Sequence, residues 1–157
     1  MAQQEKTARD SSKLILIVDD DPSVLEVLEF AGHKEGFRIE TAIDGQAALS
    51  KIQALPPDLI VLDLRLPGCG GFELLRRLQA ESETAKIPIV VITGCYTDRT
   101  TAEMLLQEPN VAGFMEKPLK LPVLAMTLHN ILQTRPLASG QAGETKTRDG
   151  IAAAKPG

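Results

Sequence analysis

The chain has 157 residues, about the length of one average domain, and its 43% hydrophobic and 24% charged residues are typical of a globular protein with its own core. Aromatic residues make up only 3% of the chain, so we expect an aliphatic core and few surfaces on which nucleic-acid bases could stack. The net charge of −4 argues further against direct binding to nucleic acid or to an anionic membrane.

The two ends of the chain are polar and lack any helical or strand period. We interpret residues 1–12 and 134–157 as flexible tails that flank one folded domain at residues 13–133. The N-terminal tail has no apolar signal segment, and no apolar run approaches the about 20 residues that cross a bilayer, so we expect a cytoplasmic protein. Cys69 and Cys95 have no metal-ligand spacing and are expected to be reduced thiols.

Short aliphatic runs alternate with segments of helical period between the two tails. This alternation is typical of repeated βαβ units, which form a parallel sheet with helices on both faces. The five predicted strands are residues 14–18, 37–42, 59–63, 87–93 and 111–115. The second strand, FRIETA, is the most polar and is therefore expected at an edge of the sheet.

Capping residues and apolar spacing delimit the helices between these strands. Five helices are predicted: from Pro22 to Gly36, from Asp44 to Leu55, from Gly71 to Glu81, from Thr97 or Asp98 to Gln107, and from Leu121 to Leu132. Asp21 and Asp44 are the expected N-caps of the first two helices. On the first helix, Val24, Val27 and Leu28 are expected to face the core.

Polar side chains follow several of the predicted strands. Asp19 and Asp20 come after the first strand, Asp63 ends the third, Thr93 ends the fourth, and Lys117 follows the fifth. Because the carboxyl ends of parallel strands form the functional crevice of an open sheet, these side chains should converge. Crowded carboxylates repel one another unless a hard cation such as Mg²⁺ neutralises them. Together with a hydroxyl and an ammonium, such a pocket could hold a phosphoryl group.

Four segments, LILIVDDDPSV, VLDLRLPGCGGFELL, VVITG and FMEKPL, resemble in this order the receiver domain of two-component response regulators. The resemblance covers about residues 13–133, and four motifs in order are more specific than any one alone. It implies a flavodoxin-like α/β fold, a doubly wound five-stranded parallel sheet of strand order 2-1-3-4-5. It also implies a phosphorylatable signalling switch rather than an enzyme. A sensor histidine kinase or histidine phosphotransfer protein would supply the phosphoryl group, and an unidentified downstream protein would receive the signal.

The resemblance implies a role for each residue of the pocket. Asp63 would be the phosphoacceptor. Asp19, Asp20, Asp63 and the backbone carbonyl of Arg65 would hold Mg²⁺, the implied cofactor. Lys117 would pair with the phosphoryl oxygens, and the peptide bond that joins it to Pro118 is commonly cis in this family.

Other residues would control the response and the lifetime of the phosphoryl group. By the same resemblance, Thr93 and Phe114 form the switch, while Arg65 and Cys95 occupy the positions that tune loss of the phosphoryl group to water. Gly70 stands where the family usually has an Asp, which we interpret as local flexibility. His33 and His129 have no clustered ligands and are expected at the surface.

Three alternatives remain open from the sequence. The domain could act as a phosphorelay intermediate, which passes its phosphoryl group onward, or as a pseudo-receiver that only binds partners. A hydrolytic phosphatase with an aspartyl nucleophile is disfavoured, because such enzymes usually carry a second Asp where this chain has Arg65. Since few residues follow the last predicted helix, we expect a stand-alone receiver.

Overall fold

The computed structural model describes residues 12–66, 70–94 and 99–136. Strands and helices alternate through these ranges as β1 (Leu14–Val18), α1 (Pro22–Lys34), β2 (Arg38–Ala42), α2 (Gly45–Ala54), β3 (Leu59–Asp63), α3 (Gly71–Ala80), α4 (Ser82–Ala85), β4 (Ile89–Thr93), α5 (Arg99–Leu106), β5 (Val111–Glu116) and α6 (Leu121–Leu132). All strand pairs are parallel, and the strand order is β2-β1-β3-β4-β5. The predicted five-stranded flavodoxin-like fold is confirmed.

Burial along the strands follows from their place in the sheet. Strands β1, β3 and β4 are continuous aliphatic runs that are buried at every residue, because helices cover both faces. Strand β2 pairs only with β1 and alternates between exposed and partly buried residues, which confirms its predicted edge position. Neighbouring strands end almost level, since Asp63 pairs with Ile92 and Thr93 pairs with Glu116. The residues that end or follow the strands therefore meet along one edge.

The sheet separates two apolar clusters, because successive strand side chains point to opposite faces. On one face, Leu16, Ile60 and Val91 pack with Ile52 of α2, Leu75 of α3 and Leu105 of α5. On the other face, Ile15, Val61 and Ile92 pack with Leu25 and Leu28 of α1 and with Leu124 and Leu128 of α6. Helices α1 and α6 thus share one core, and α2, α3 and α5 share the other.

Helix α1 begins as predicted, and Leu28 and Val24 face the core as predicted, but Val27 does not. The Asp21 side chain accepts a hydrogen bond of 3.0 Å from the backbone N–H of Ser23, which makes Asp21 the N-cap. The buried residues are Leu25, Leu28 and Gly32, whereas Val27 is 51% exposed. The prediction that Val27 faces the core is wrong. The buried side of the helix instead continues through Gly32, which lies against Ile39.

Two local features differ from the sequence prediction. The four-residue helix α4 was not predicted; it follows α3 directly and is joined to it by a 2.7 Å hydrogen bond from the Thr84 hydroxyl to the carbonyl of Leu78. Strand β4 begins at Ile89 rather than at residue 87, because Pro88 offers a carbonyl to Ile60 but has no N–H for the ladder.

Several predictions concern residues outside the described ranges. Thr97 and Asp98, the predicted caps of the fourth helix, lie there, as do Cys69, Cys95 and most of the two predicted tails. Within the described ranges the longest helix is α1 with 13 residues, and none of the helices combines the length and the apolar character needed to span a bilayer.

His129 is buried, so its predicted surface position is wrong, whereas His33 is exposed as predicted. The His129 ring is 6% exposed and lies between the Glu35 carboxylate, 2.8 Å from Nε2, and the Thr134 hydroxyl, 2.7 Å from Nδ1. Its ring also packs against Phe37 at a centroid distance of 4.8 Å. A single histidine therefore joins the C-terminal ends of α1 and α6, a role that no local sequence pattern indicates.

We expect His129→Ala to lower the free energy of unfolding by about 1–3 kcal/mol, because it removes two hydrogen bonds and a buried ring contact. His33→Ala is the matched control; the exposed His33 lies 3.7 Å from Glu29, and its loss should change stability by less than about 0.5 kcal/mol. Urea unfolding of both variants measures the difference. Equal stability of the two variants would show that the buried contacts of His129 contribute nothing.

Candidate functional site

Two buried carboxylates and one lysine meet at the carboxyl edge of the sheet. Asp19 follows β1, Asp63 ends β3, and both side chains are almost completely buried. The ammonium of Lys117, which follows β5, lies 3.0 Å from Asp19 Oδ2 and 3.2 Å from Asp63 Oδ2. One cation thus bridges the two acids, as the convergence of the strand ends predicts.

Backbone N–H groups hold the other oxygen of each acid. Asp19 Oδ1 accepts a 2.9 Å hydrogen bond from the N–H of Asp21, and Asp63 Oδ1 accepts a 3.0 Å hydrogen bond from the N–H of Arg65. Both are contacts between residues i and i+2, the Asx-turn geometry that aspartates favour after a strand. The sequence analysis missed these two contacts, although an Asp that ends a strand could have indicated them. Both oxygens of each carboxylate are therefore held, one by a backbone N–H and the other by Lys117.

Burial and neighbouring charges change the proton affinity of the site. Burial raises the pKa of Asp63, and the nearby Asp19 carboxylate raises it further, while the Arg65 N–H and Lys117 oppose both effects. Burial alone would lower the pKa of Lys117, but its hydrogen bonds and charge contacts with Asp19 and Asp63 raise it above its usual value. Lys117 accordingly stays protonated, and the Asp63 carboxylate needs positive charge close by.

The site also contains the donor set for a metal ion. One carboxylate oxygen each from Asp19, Asp20 and Asp63 lies within 4.8 Å of the others, and Asp20 is exposed while the other two are buried. Three carboxylate oxygens at this separation suit a hard divalent cation, which would be open to solvent on the Asp20 side. The predicted contribution of the Arg65 carbonyl stays a prediction; the described contact of Arg65 is its N–H to Asp63.

The predicted switch residues lie on β4, which neighbours β3, and on β5, the next strand in the sheet. Thr93 is buried at the end of β4, and its carbonyl accepts a 2.8 Å hydrogen bond from the N–H of Lys117. Phe114 lies on β5, is also buried, and belongs to the same apolar cluster as Leu105 of α5. The peptide bond between Lys117 and Pro118 is cis. Cys95, the second predicted tuning residue, lies outside the described residues, and the switch and tuning roles stay predictions.

Gly71 lets α3 approach the end of β3, a role that the sequence pattern did not indicate. A Cβ atom at this position would lie 2.6 Å from the carbonyl oxygen of Leu64 and 3.0 Å from that of Asp63. The Gly71 N–H also donates a 3.2 Å hydrogen bond to the Leu64 carbonyl. Among the residues that the structure describes, no heavy atom lies within 4 Å of a Cβ atom at the neighbouring Gly70.

Comparisons with known proteins agree with this geometry. Residues 15–130 match the response regulator receiver domain family. The DNA-binding response regulator MtrA of Mycolicibacterium smegmatis is 42% identical over 106 residues, which are 68% of this chain and 44% of that protein. A solved structure from Chloroflexus aurantiacus, assigned as a response regulator, has 31% identity and a TM-score of 0.71, covering 78% of this chain and 98% of its own. The chemotaxis response regulator CheY4 of Vibrio cholerae has 27% identity and a TM-score of 0.70, covering 76% and 98%.

A parallel sheet with an acidic cluster and a lysine at its carboxyl edge defines a phosphoacceptor signalling module. The family match covers most of the chain, and the chain therefore belongs to the response regulator receiver domain family. It spans less than half the length of the curated relatives that it matches, 44% of MtrA and 45% of the transcriptional regulatory protein TrcR of Mycobacterium tuberculosis.

We expect Gly71→Ala to lower the free energy of unfolding by about 1–3 kcal/mol, because the added methyl group collides with backbone atoms that cannot move independently. The variant should also disturb the backbone next to Asp63. Gly70→Ala is the control and should have the stability of the parent, since its methyl group meets open space. Thermal unfolding compares the two, and a Gly71→Ala variant as stable as Gly70→Ala would contradict the packing argument.

Proposed function

We propose that this domain is the phosphorylatable switch of a two-component system. A sensor histidine kinase or a histidine phosphotransfer protein would donate the phosphoryl group to Asp63 in the presence of Mg²⁺. The observation that carries this proposal is the Lys117 ammonium, which bridges Asp19 and Asp63 inside a three-carboxylate cluster. In this arrangement one buried aspartate has a fixed position, a lysine beside it and acidic neighbours suited to a divalent cation.

The proposed reaction transfers a phosphoryl group from a histidine nitrogen to a carboxylate oxygen of Asp63. A carboxylate oxygen of Asp63 would attack the phosphorus of a phosphohistidine, the new O–P bond would form as the P–N bond breaks, and the imidazole would leave. Lys117 would move its contact from Asp63 to a phosphoryl oxygen and so keep the added charge paired. When bound, Mg²⁺ would neutralise the acids and the phosphoryl oxygens and align them. The remaining acids, Asp19 and Asp20, would hold that ion.

The response would follow from residues beside the phosphoryl group. We propose that the Thr93 hydroxyl bonds the phosphoryl group and that Phe114 repacks with it, which would shift α5 and β5 between two arrangements. Phe114 has no hydroxyl, so its part depends on ring packing alone. An unidentified downstream protein would then bind the surface formed by α5, β5 and α6, where Met104 and Met126 are exposed.

The exposed face of α1 supports a docking surface for the phosphoryl donor. Val27 is 51% and Phe30 is 68% exposed, and the spacing of three residues places them side by side on the helix that begins next to the acidic cluster. Exposed apolar side chains in such a row are typical of helix-to-helix contacts between partners. The exposure of Val27 therefore supports a contact between this helix and the phosphoryl donor.

The domain boundaries and the location are part of the same proposal. Residues 13–133 would form the receiver, and the domain would act in the cytoplasm where a kinase can present its phosphohistidine. Thr134, predicted to begin a flexible tail, instead bonds the buried His129. MtrA is described as a DNA-binding response regulator, and the chain spans 44% of it. For residues 13–133 we propose output by protein contact, either as a switch or as a phosphorelay intermediate.

Two other functions have less support. A phosphatase would need an acid or base two residues beyond Asp63, where the exposed Arg65 cannot donate a proton at neutral pH. A pseudo-receiver that binds partners without phosphorylation would have no need for the Lys117 bridge and the acidic cluster that surround Asp63.

Asp63→Asn should abolish phosphorylation, because the amide is a far weaker nucleophile than the carboxylate. Incubation with acetyl phosphate and Mg²⁺ should add one phosphoryl group to the parent, and chelation of the metal with EDTA should prevent it. Asp58→Asn is the matched control, since Asp58 only accepts a 2.8 Å hydrogen bond from the N–H of Leu14 and should leave phosphorylation unchanged. Intact-protein mass spectrometry reads the result. A parent that stays unmodified, or a modified Asp63→Asn variant, would refute the proposal.

Arg65→Ala should shorten the lifetime of the phosphorylated domain several-fold, because the long cationic side chain next to Asp63 can shield the acyl phosphate from water. Arg38→Ala, on the distant edge strand β2, is the control for loss of one exposed positive charge. The decay is followed by mass spectrometry after removal of the phosphodonor. Equal lifetimes for the parent and Arg65→Ala would rule out the shielding role of Arg65.

A further inference from the structure

A hydrogen-bonded cluster lies at the end of the sheet opposite the acidic site. It joins the last turn of α3 to residues 107–110, the turn between α5 and β5. Gln79 Nε2 donates to the Glu108 carboxylate at 2.8 Å and to the Asn110 side-chain carbonyl at 2.7 Å. Arg76, on the same helix, places its guanidinium 3.6 Å from the second oxygen of Glu108. We call Gln79, Glu108 and Asn110 the α3–turn clamp.

The charge of Glu108 sets the orientation of both amides in the clamp. A carboxylate only accepts hydrogen bonds, so the Gln79 amide must turn its NH₂ group toward Glu108. The same NH₂ group then meets the carbonyl oxygen of Asn110, which turns the Asn110 NH₂ group away from the clamp. Asn110 is 5% exposed, and its Nδ2 atom has no acceptor among the described residues. The closed clamp therefore leaves a buried donor unsatisfied, which is unfavourable.

The clamp holds the segment that the proposed switch has to move. Its turn follows α5 directly and leads into β5, the strand that carries Phe114. Phe114 and Leu105 of α5 pack in one apolar cluster, so a movement of α5 changes the packing around Phe114. Asn110 also fixes the start of the β4–β5 ladder, because its backbone carbonyl accepts a 2.8 Å hydrogen bond from the N–H of Ile89.

We propose that Gln79 is a positioning residue for the switch: the α3–turn clamp holds α5 and β5 in the arrangement that accompanies an unmodified Asp63. Opening the clamp releases the Asn110 amide to find an acceptor and frees the turn to move. Phosphorylation of Asp63 and opening of the clamp then favour the same arrangement of α5 and β5, the one that accompanies the phosphorylated domain. This inference rests on the proposed function, and it adds a restraint far from the phosphoryl group that sets how readily the domain responds.

Methyl NMR of the methionines tests the inference on the full chain. Met104 reports on α5, Met115 on β5, and Met126 on α6. In the parent, Mg²⁺ with beryllofluoride, a phosphoryl mimic, should move the Met104 and Met115 signals. In Gln79→Ala these signals should lie part of the way to the mimic-bound positions before any mimic is added. Phosphorylation by acetyl phosphate should be about two- to thirtyfold faster in that variant, since residues outside a site typically change coupling by that amount.

Two further variants separate the clamp from general loss of stability. Glu108→Gln can donate to the Gln79 carbonyl oxygen, which can also accept from Asn110, so the clamp stays closed with both amides reversed and the signals should resemble the parent. Lys51→Met breaks an ion pair of 3.1 Å and a hydrogen bond at the other edge of the sheet and should also resemble the parent.

The outcomes of this experiment are distinct. Gln79→Ala signals at the parent positions, with an unchanged phosphorylation rate, would overturn the inference and leave the proposed function intact. The same displacement in Lys51→Met would also overturn it, because any destabilised variant would then behave alike. A parent that responds neither to the mimic nor to acetyl phosphate would refute the proposed function itself.

Discussion

The structure depends on balancing negative charge at the carboxyl edge of the sheet. Asp19 and Asp63 are buried side by side, and two ionised carboxylates in that position repel each other strongly. Lys117 compensates by contacting both, and the backbone N–H groups of Asp21 and Arg65 supply two further hydrogen bonds. Burial and, to a lesser extent, the Asp19 charge nevertheless raise the pKa of Asp63. A site in this condition favours the binding of additional positive charge.

The strand order of the sheet places these groups next to one another. Strand order 2-1-3-4-5 makes β1 and β3 neighbours, so that Asp19 and Asp63 end adjacent strands, while β4 and β5 bring Thr93 and Lys117 alongside. The Lys117 N–H bonds the Thr93 carbonyl, which continues the ladder past the end of β5. The close approach of α3 at Gly71 then supports the backbone that follows Asp63. These side chains are consequently attached to the ends of buried strands that are hydrogen-bonded within the sheet.

Much of the fold and of the site could be predicted from the sequence, and the errors have identifiable causes. Continuous aliphatic runs that end in acids are strong local signals, and the strands and the convergence of Asp19, Asp63 and Lys117 followed from them. On α1 the burial of Leu28 was predicted and that of Gly32 was missed, because a glycine carries no hydrophobic signal. The position of His129 depends on Glu35, a residue on a different helix, and only tertiary packing brings the two together. The two Asx turns were missed because they depend on backbone N–H donors, which a pattern of side chains does not show.

The division of the core by the sheet has a consequence for how substitutions combine. The helix that carries Val27 and Phe30 shares its core with α6, whereas α5 packs into the other core with Phe114. Substitutions in separate clusters that share no contacts combine nearly additively. Substitutions at the exposed α1 positions Val27 and Phe30 should therefore leave the packing of α5 against Phe114 almost unchanged. Helix α6 shares its core with α1, so a change inside that core would be transmitted to α6 and not to α5.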